Sequence, residues 1–301
     1  MTCFAVSSVA QTNQAVDRAE LLRSQPQPQP GPQVELNNPE GGQAIASPND
    51  ADLGVQQILK RQEEYEPFTL TTAIPFYYTS NVALVNTGEV GDLIIAPVSA
   101  AYYDPRITKT FYGHLGVREQ LFFYDKYTGF DFGAFDFEAG ANYYLPQFHN
   151  LILRALYDYN RLTVRDKFDA FFQNHALLFN AELPFRFGRA QHAAIGVDAV
   201  YSVAGQPDGP RRHEHDIYVG YGANVTRAFS IDAAGRVVVR DYVVGGRTDV
   251  SEILSLSATY RLTNWCTASA ISSFATTQSN QSVFEYDVAN VGGAMSLTFK
   301  F

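Results

Sequence analysis

Hydrophobic and polar residues alternate along most of the chain after Pro67, and the last stretch shows this pattern most clearly. From position 291 onward the even positions are small or polar, and the odd positions are mostly apolar: Val291, Gly293, Met295, Leu297, Phe299 and Phe301. Side chains on a strand point alternately to its two faces. The stretch therefore predicts a strand whose apolar face ends in two aromatic residues, as expected for a strand in contact with lipid.

About a dozen such segments follow Pro67, each close to the ~9–11 residues that a tilted strand needs to cross a membrane. In the segment 132–145, for example, Phe135, Phe137 and Ala139 alternate with Asp136 and Glu138. The twelve predicted segments cover residues 68–78, 92–103, 110–122, 132–145, 151–161, 174–187, 193–203, 216–226, 229–242, 253–262, 265–276 and 286–301.

The connections between these segments alternate in length. Short connections fall at residues 104–108, 146–150, 188–191, 226–228 and 263–264, and longer ones at 80–91, 125–129, 164–172, 205–215, 244–251 and 276–283. This alternation is typical of an up-and-down transmembrane barrel with short periplasmic turns and longer outer loops, whereas a β-sandwich would not produce it. An even number of strands also places both ends of the barrel on the periplasmic side.

The predicted fold class is therefore all-β: a transmembrane antiparallel up-and-down β-barrel of about 12 strands, preceded by a disordered N-terminal tether. Residues 1–10 are interpreted as a signal-peptide remnant, because Ser8-Val9-Ala10 is a plausible cleavage site. Residues 11–50 contain the repeat QPQPQPGPQ and are interpreted as a disordered Pro/Gln-rich linker. Residues 51–66 predict a short lead-in helix, which either caps the periplasmic mouth or has no further role, and residues 67–301 form the barrel.

Composition narrows the function classes. Charged residues make up 18% of the 301-residue chain, below the ~25% of an average soluble domain. The net charge of -9 argues against general nucleic-acid binding, which needs a basic surface. Two cysteines, Cys3 and Cys266, provide neither a disulfide framework nor a thiolate metal site. No metal site and no other cofactor is predicted.

The apolar alternation that ends at Leu297, Phe299 and Phe301 resembles the C-terminal signal of Gram-negative outer-membrane β-barrels. The resemblance covers residues 68–301 and implies a bacterial outer-membrane location, with outer-membrane lipid and the barrel-assembly machinery as partners. The run DLGVQQILKRQEEYEPFTLTTAIPFYYTSNVAL is also similar to uncharacterised barrels of the Planctomycetes–Verrucomicrobia group. Neither resemblance identifies a cargo or an oligomeric state.

Charged residues concentrate on the strand face opposite the apolar one, as expected because Arg or Lys facing lipid at mid-membrane costs ~2–4 kcal/mol. We expect Arg118 to meet Glu138, and Arg154 to meet Asp136 or Glu182. These charges either line a water-filled pore or pair across a narrow, filled lumen. The predicted lumen-lining residues are Arg118, Asp136, Glu138, Arg154, Asp158, Glu182, Arg186, Asp198, Asp232, Arg236 and Arg240.

Two sets of histidines invite a chemical interpretation. His213 and His215 lie in a segment, 211–216, that is predicted to belong to an outer loop, where two histidines without a third ligand indicate a solvated loop rather than a metal site. His114 is predicted to be the only strand histidine that points inward, but no serine is evidently paired with it as a nucleophile would be. No catalytic residue is therefore predicted, and the chain is not expected to be an enzyme.

The sequence favours a porin-like channel for small hydrophilic solutes. One alternative is a non-conducting structural or surface-interaction barrel that uses loops such as 79–92 and 205–215 as contacts. A second alternative is an outer-membrane lipid hydrolase, because some barrels of this size hydrolyse lipids.

Overall fold

The computed structural model describes residues 14–19, 21–22, 65–164, 169–188 and 190–301. Within these residues one antiparallel sheet closes into a barrel, because its last strand pairs with its first. The strand segments are β1 (Phe68–Thr79), β2 (Asp92–Ile95), β3 (Val98–Tyr103), β4 (Phe111–Tyr124), β5 (Phe132–Leu145), β6 (Leu151–Val164), β7 (Ala170–Phe187), β8 (Gln191–Gln206), β9 (Arg212–Asn224), β10 (Phe229–Tyr242), β11 (Thr248–Arg261), β12 (Cys266–Ser279) and β13 (Tyr286–Lys300).

Segments β2 and β3 are two parts of one barrel strand. Both pair with β1 on one side and with β4 on the other, in the same register. The interruption falls at Ala96 and Pro97, because proline has no N–H to donate to the ladder. Ala96 still donates its N–H to the Pro75 carbonyl at 2.8 Å, so the wall stays closed. The barrel therefore has twelve strand positions, which confirms the predicted fold class and strand number.

The two ends of the barrel sequence meet at one rim, which we call the proximal end. There Phe68 and Phe301 exchange backbone hydrogen bonds of 3.1 and 2.9 Å. The short connections predicted from the sequence also lie at the proximal end. The opposite rim, the distal end, carries the described connections 80–91, 125–131, 207–211, 243–247 and 280–285. Strands extend further into several distal connections than predicted, so the contrast in length between the two rims is smaller.

The two strand faces differ as the sequence pattern predicts. Apolar side chains such as Ile74, Leu254 and Val291 are more than half exposed and point outward. The apolar positions of β13 share this outward face. Aromatic pairs surround the proximal rim, including Phe68 stacked on Tyr103 at 4.4 Å and Trp265 on Phe299 at 6.1 Å between ring centroids. Bands of exposed aromatic residues at a rim are typical of membrane–water interfaces. No helix in the described part of the chain is long and apolar enough to cross a membrane.

The N-terminal region contains a helix that the sequence analysis did not predict. Residues 14–19 and 21–22, here called the inner helix, fall within the predicted linker. Most of their side chains are buried against inward-facing residues of the barrel. The predicted signal-peptide remnant, the rest of the linker and the predicted lead-in helix up to residue 64 lie outside the described residues.

Candidate functional site: the lumen and its distal mouth

The inner surface of the barrel has two unlike walls. Strands β11, β12, β13 and β1 present mainly small or hydroxylated side chains to the lumen, such as Ser255, Ser273, Gly292 and Thr71. Strands β4 to β10 present long charged and amide side chains instead. The structure places all eleven predicted lumen-lining residues on this inward face: Arg118, Asp136, Glu138, Arg154, Asp158, Glu182, Arg186, Asp198, Asp232, Arg236 and Arg240. Their role in a pore stays a prediction.

Five inward polar residues on neighbouring strands lie directly opposite one another and form what we call the polar row: Asn142, Arg154, Asn180, Asp198 and Asp216. Asn180 donates to Asp198 at 2.5 Å, and Arg236 donates to both Asp198 and Asp216. The register neighbours of Arg154 are two asparagines rather than the predicted Asp136 or Glu182. Asp136 lies directly opposite Arg118, and Glu138 is a diagonal neighbour of Arg118 on the same face, so the predicted contact between Arg118 and Glu138 stays a prediction. The strand register therefore decided which charges lie together.

Three consecutive members of the polar row have buried polar atoms that lack a hydrogen-bond partner among the described residues. These atoms are Asn142 Oδ1, Arg154 Nε and Asn180 Oδ1. Asn142 is only 2% exposed and Asn180 only 7%. A buried polar group without a partner costs ~1–3 kcal/mol, so native proteins pair such groups with protein, water or a bound molecule. This side of the lumen is therefore suited to contact water or a polar solute.

His114 lies near the proximal end between two carboxylates. Its Nδ1 is 2.6 Å from Asp104 and its Nε2 is 3.1 Å from Glu138. Both ring nitrogens thus contact acidic groups rather than a nucleophile. The prediction that His114 is the only strand histidine pointing inward is wrong, because His192 pairs with inward Gly222 and lies 3.5 Å from Asp232.

The inner helix lies in the distal mouth, where its apolar residues contact both walls. Val16, Ala19 and Leu22 are buried in one cluster with residues of β1 to β7. Leu21 packs in a second cluster with residues of β10 to β13. The Arg18 guanidinium lies 3.9 Å from the centre of the Phe130 ring. A helix that is buried on several sides is an internal element rather than a surface one, so the inner helix fills part of this mouth.

Asp17 fixes the inner helix by polar contacts. Its carboxylate accepts hydrogen bonds from Arg212 at 2.6 Å, Arg247 at 2.9 Å and the Tyr242 hydroxyl at 2.7 Å. We call these three donors the mouth cradle. Burial by itself lowers the pKa of Arg247, but Asp17 and Asp249 more than offset this effect and raise it. Hydrogen bonds between ionised groups are the strong ones, so Asp17 is a main anchor of the helix.

Further polar contacts connect the mouth cradle with the wall formed by β4 to β10, which we call the charged wall. Arg212 contacts Glu214 at 2.5 Å, and Glu214 lies 3.6 Å from Arg240. Arg240 in turn donates to Ser251 at 2.5 Å, and Ser251 lies 2.7 Å from Thr277. A chain of polar contacts thus connects the inner helix with β9 to β12.

Residues 211–216 were predicted to lie in an outer loop, and this prediction is wrong for most of the stretch. Strand β9 begins at Arg212, so Arg212, Glu214 and Asp216 point inward. His213 and His215 point outward beside Tyr201. Both faces of this stretch are polar, which hides the strand from a search for hydrophobic alternation. The alternating charges of Arg212, Glu214 and Asp216 were the available signal. Among the described residues, no group of three or more His, Cys, Asp or Glu side chains could hold a metal ion.

Comparisons with known proteins bear on the fold. No family model matches the chain, and no curated protein matches it. Among solved structures, an outer-membrane channel from Pseudomonas putida F1 superposes with a TM-score of 0.54 at 11% identity, over 78% of this chain and 97% of that one. The fold is that of a bacterial outer-membrane β-barrel.

Two further barrels match with lower scores. The β-domain of the Bordetella autotransporter BrkA gives a TM-score of 0.47 at 10% identity, over 79% of this chain and 100% of that one. The KdgM porin, in complex with disordered oligogalacturonate, gives 0.43 at 5% identity, over 76% and 99%. Because both TM-scores are below 0.5, these two matches add nothing to the description of this outer-membrane barrel.

Proposed function

We propose that this chain is a channel for small hydrophilic solutes in the bacterial outer membrane, with the proximal end in the periplasm. The outward apolar face and the aromatic residues of the proximal rim support contact with outer-membrane lipid. Phe301 and the apolar positions before it support recognition by the barrel-assembly machinery. The Pseudomonas putida structure that shares the fold is an outer-membrane channel, which is consistent with the proposal.

The polar row carries this proposal. A barrel whose interior serves only as packing is expected to pair its buried polar groups internally, because each unpaired group costs ~1–3 kcal/mol. Asn142, Arg154 and Asn180 instead leave three neighbouring polar atoms without partners in the described part of the chain. Because these atoms are buried, water or a hydroxylated solute that passes along β5 to β7 can satisfy them once the side chains of the polar row turn toward it.

The inner helix determines when the channel conducts. In this structure it fills part of the distal mouth, so its displacement widens the path for solutes. The first alternative, a non-conducting barrel, gains support from the same observation, because the helix packs against both walls. A channel and a non-conducting barrel differ in one respect: without the inner helix, the lumen of a channel is open and that of a non-conducting barrel is closed.

Conductance in planar bilayers distinguishes these functions. We would compare the full chain with a variant that lacks residues 1–22, after checking that both are folded by their resistance to SDS at low temperature. The proposal expects stepwise currents from the deletion variant, and rarer or smaller steps from the full chain. A folded deletion variant without any steps would reject the channel and favour the sealed barrel. Swelling of liposomes in sugars of increasing size then gives the size limit.

The expectation that the barrel is not an enzyme stays a prediction. Hydrolysis of phospholipid vesicles by the full chain, lost on His114→Ala, would contradict it.

A further inference from the structure

The mouth cradle has the form of a carboxylate-binding site. Two guanidinium groups and one phenol converge on the two oxygens of Asp17: Arg212 and Tyr242 donate to Oδ1, and Arg247 donates to Oδ2. All three donors are at most 7% exposed. Arginine recognises carboxylates by charge and by its planar arrangement of donors.

The barrel fixes these donors independently of the inner helix. The Arg247 guanidinium lies 3.6 Å from the centre of the Phe284 ring and 4.1 Å from that of Tyr242. Arg247 also contacts Asp249, and Arg212 contacts Glu214. The donors are therefore held in place by residues of β9 to β11 and the connection before β13. Preorganised donors reduce the entropy cost of binding a ligand.

Asp17 supplies negative charge to two buried guanidinium groups of the barrel wall. Arg212 contacts Asp17 and Glu214, and Arg247 contacts Asp17 and Asp249. Arg247 Nη1 is also buried and has no hydrogen-bond partner among the described residues. Removing one partner from a buried group of paired charges is costly, so when the helix leaves, an anion is expected to replace Asp17.

We propose that the mouth cradle is a binding site for solutes that carry a carboxylate, and that Asp17 of the inner helix occupies it as an internal competitor. This inference rests on the proposed function, because it names the solute class and the event that opens the distal mouth. A carboxylate solute takes the place of Asp17, the inner helix loses its polar anchor, and the mouth opens. An uncharged solute of the same size cannot replace Asp17.

Direct binding tests this inference without any conductance measurement. Isothermal titration calorimetry of the full chain in detergent uses sodium gluconate as the probe and glucose as the matched uncharged control. We expect Asp17→Ala to bind gluconate at least tenfold more tightly than the wild type, because the competitor is gone. Adding Arg247→Gln to this variant should weaken gluconate binding at least tenfold, whereas adding Arg227→Gln, in an exposed proximal connection, should not change it. Asp17→Asn replaces Asp17→Ala if the alanine variant does not fold.

Hydrogen–deuterium exchange of residues 14–22 in the wild type is the second measurement. Gluconate should accelerate this exchange and glucose should not. Equal gluconate affinity in the wild type and the Asp17 variant, affinity that does not depend on Arg247, or exchange that gluconate leaves unchanged would each overturn the inference. Gluconate binding without conductance would reject the channel alone, and conductance without gluconate binding would reject the carboxylate site alone.

Discussion

Gly292 lies at the seam where the barrel closes, and its replacement by alanine is the sharpest stability test that the structure offers. A Cβ atom added at Gly292 would lie 2.1 Å from the Phe76 carbonyl oxygen and 2.6 Å from the Tyr77 Cα. Real Cβ atoms essentially never approach other atoms closer than 3.0 Å, so the contact is 0.9 Å too short. Both neighbours belong to the backbone of β1, and no side-chain rotation can relieve the clash.

Gly292→Ala must therefore separate β13 from β1, the pairing that closes the sheet. Overpacking in a tight site costs ~1–3 kcal/mol even where side chains can adjust, and here backbone hydrogen bonds must lengthen as well. We expect a loss of at least about 3 kcal/mol in the free energy of unfolding. This loss corresponds to more than a hundredfold change in the unfolding equilibrium.

The matched control is Gly220→Ala, an inward strand glycine whose added Cβ meets no atom within 4 Å. Glycine costs roughly 0.5–1 kcal/mol relative to alanine inside a strand, so this variant should be as stable as the wild type or slightly more stable. Urea titration in detergent, followed by the gel shift of the folded barrel, measures both variants. If Gly292→Ala unfolds at the same urea concentration as Gly220→Ala, the close approach of β13 to β1 is wrong.

Four further predictions follow from the lumen and the seam. Leu22→Ala removes a side chain of the inner helix that is 2% exposed; this should weaken helix docking by ~2–5 kcal/mol and increase proteolysis near residue 22, whereas outward Leu254→Ala should change neither. Glu214→Gln removes the carboxylate that Arg212 and Arg240 share and, because Glu214 is only partly buried, should cost ~1–3 kcal/mol in urea titration, whereas Asp208→Asn, in an exposed ion pair, should cost ~0–1 kcal/mol. Asn180→Leu should reduce the single-channel conductance of the variant lacking residues 1–22, and an unchanged conductance would place the solute path elsewhere. Phe301→Ala should lower the amount of barrel assembled in cells but not its refolding in detergent, because the backbone hydrogen bonds to Phe68 remain; equal assembly in cells would remove its role as a signal.

The sequence predicted the features that follow from the alternation of side chains between the two faces of a strand. The outward face of β13 and the inward positions of residues such as Asp136 and Arg236 follow from alternation, because a strand has only two faces. Pairing across strands was harder to predict. A change of one residue in register exchanges the faces of a strand, and a change of two selects different neighbours on the same face. Arg154 for this reason lies beside asparagines rather than beside Asp136 or Glu182.

The inner helix and the start of β9 could not be predicted in the same way. The stretch QAVDRAELL contains an apolar stripe at Val16, Ala19 and Leu22, but a helix this short is not stable alone and forms only through tertiary contacts. Its environment consists of side chains from strands far away in the chain. Residues 212–216 are polar on both faces, so hydrophobic alternation gives no signal there.

The inner helix and the charged wall have one physical origin. A closed barrel leaves no free sheet edge, so an additional segment of the chain can be buried only inside it, against the polar face that alternation creates. Such a segment must match both the shape and the charge of the lumen, and the inner helix does so with Leu21 and Leu22 on its apolar sides and Asp17 facing the mouth cradle. The cradle is what makes the contact reversible in principle, because any carboxylate of suitable size offers the same two oxygens. A purely apolar contact would fill the mouth equally well but would give no solute the means to displace the helix.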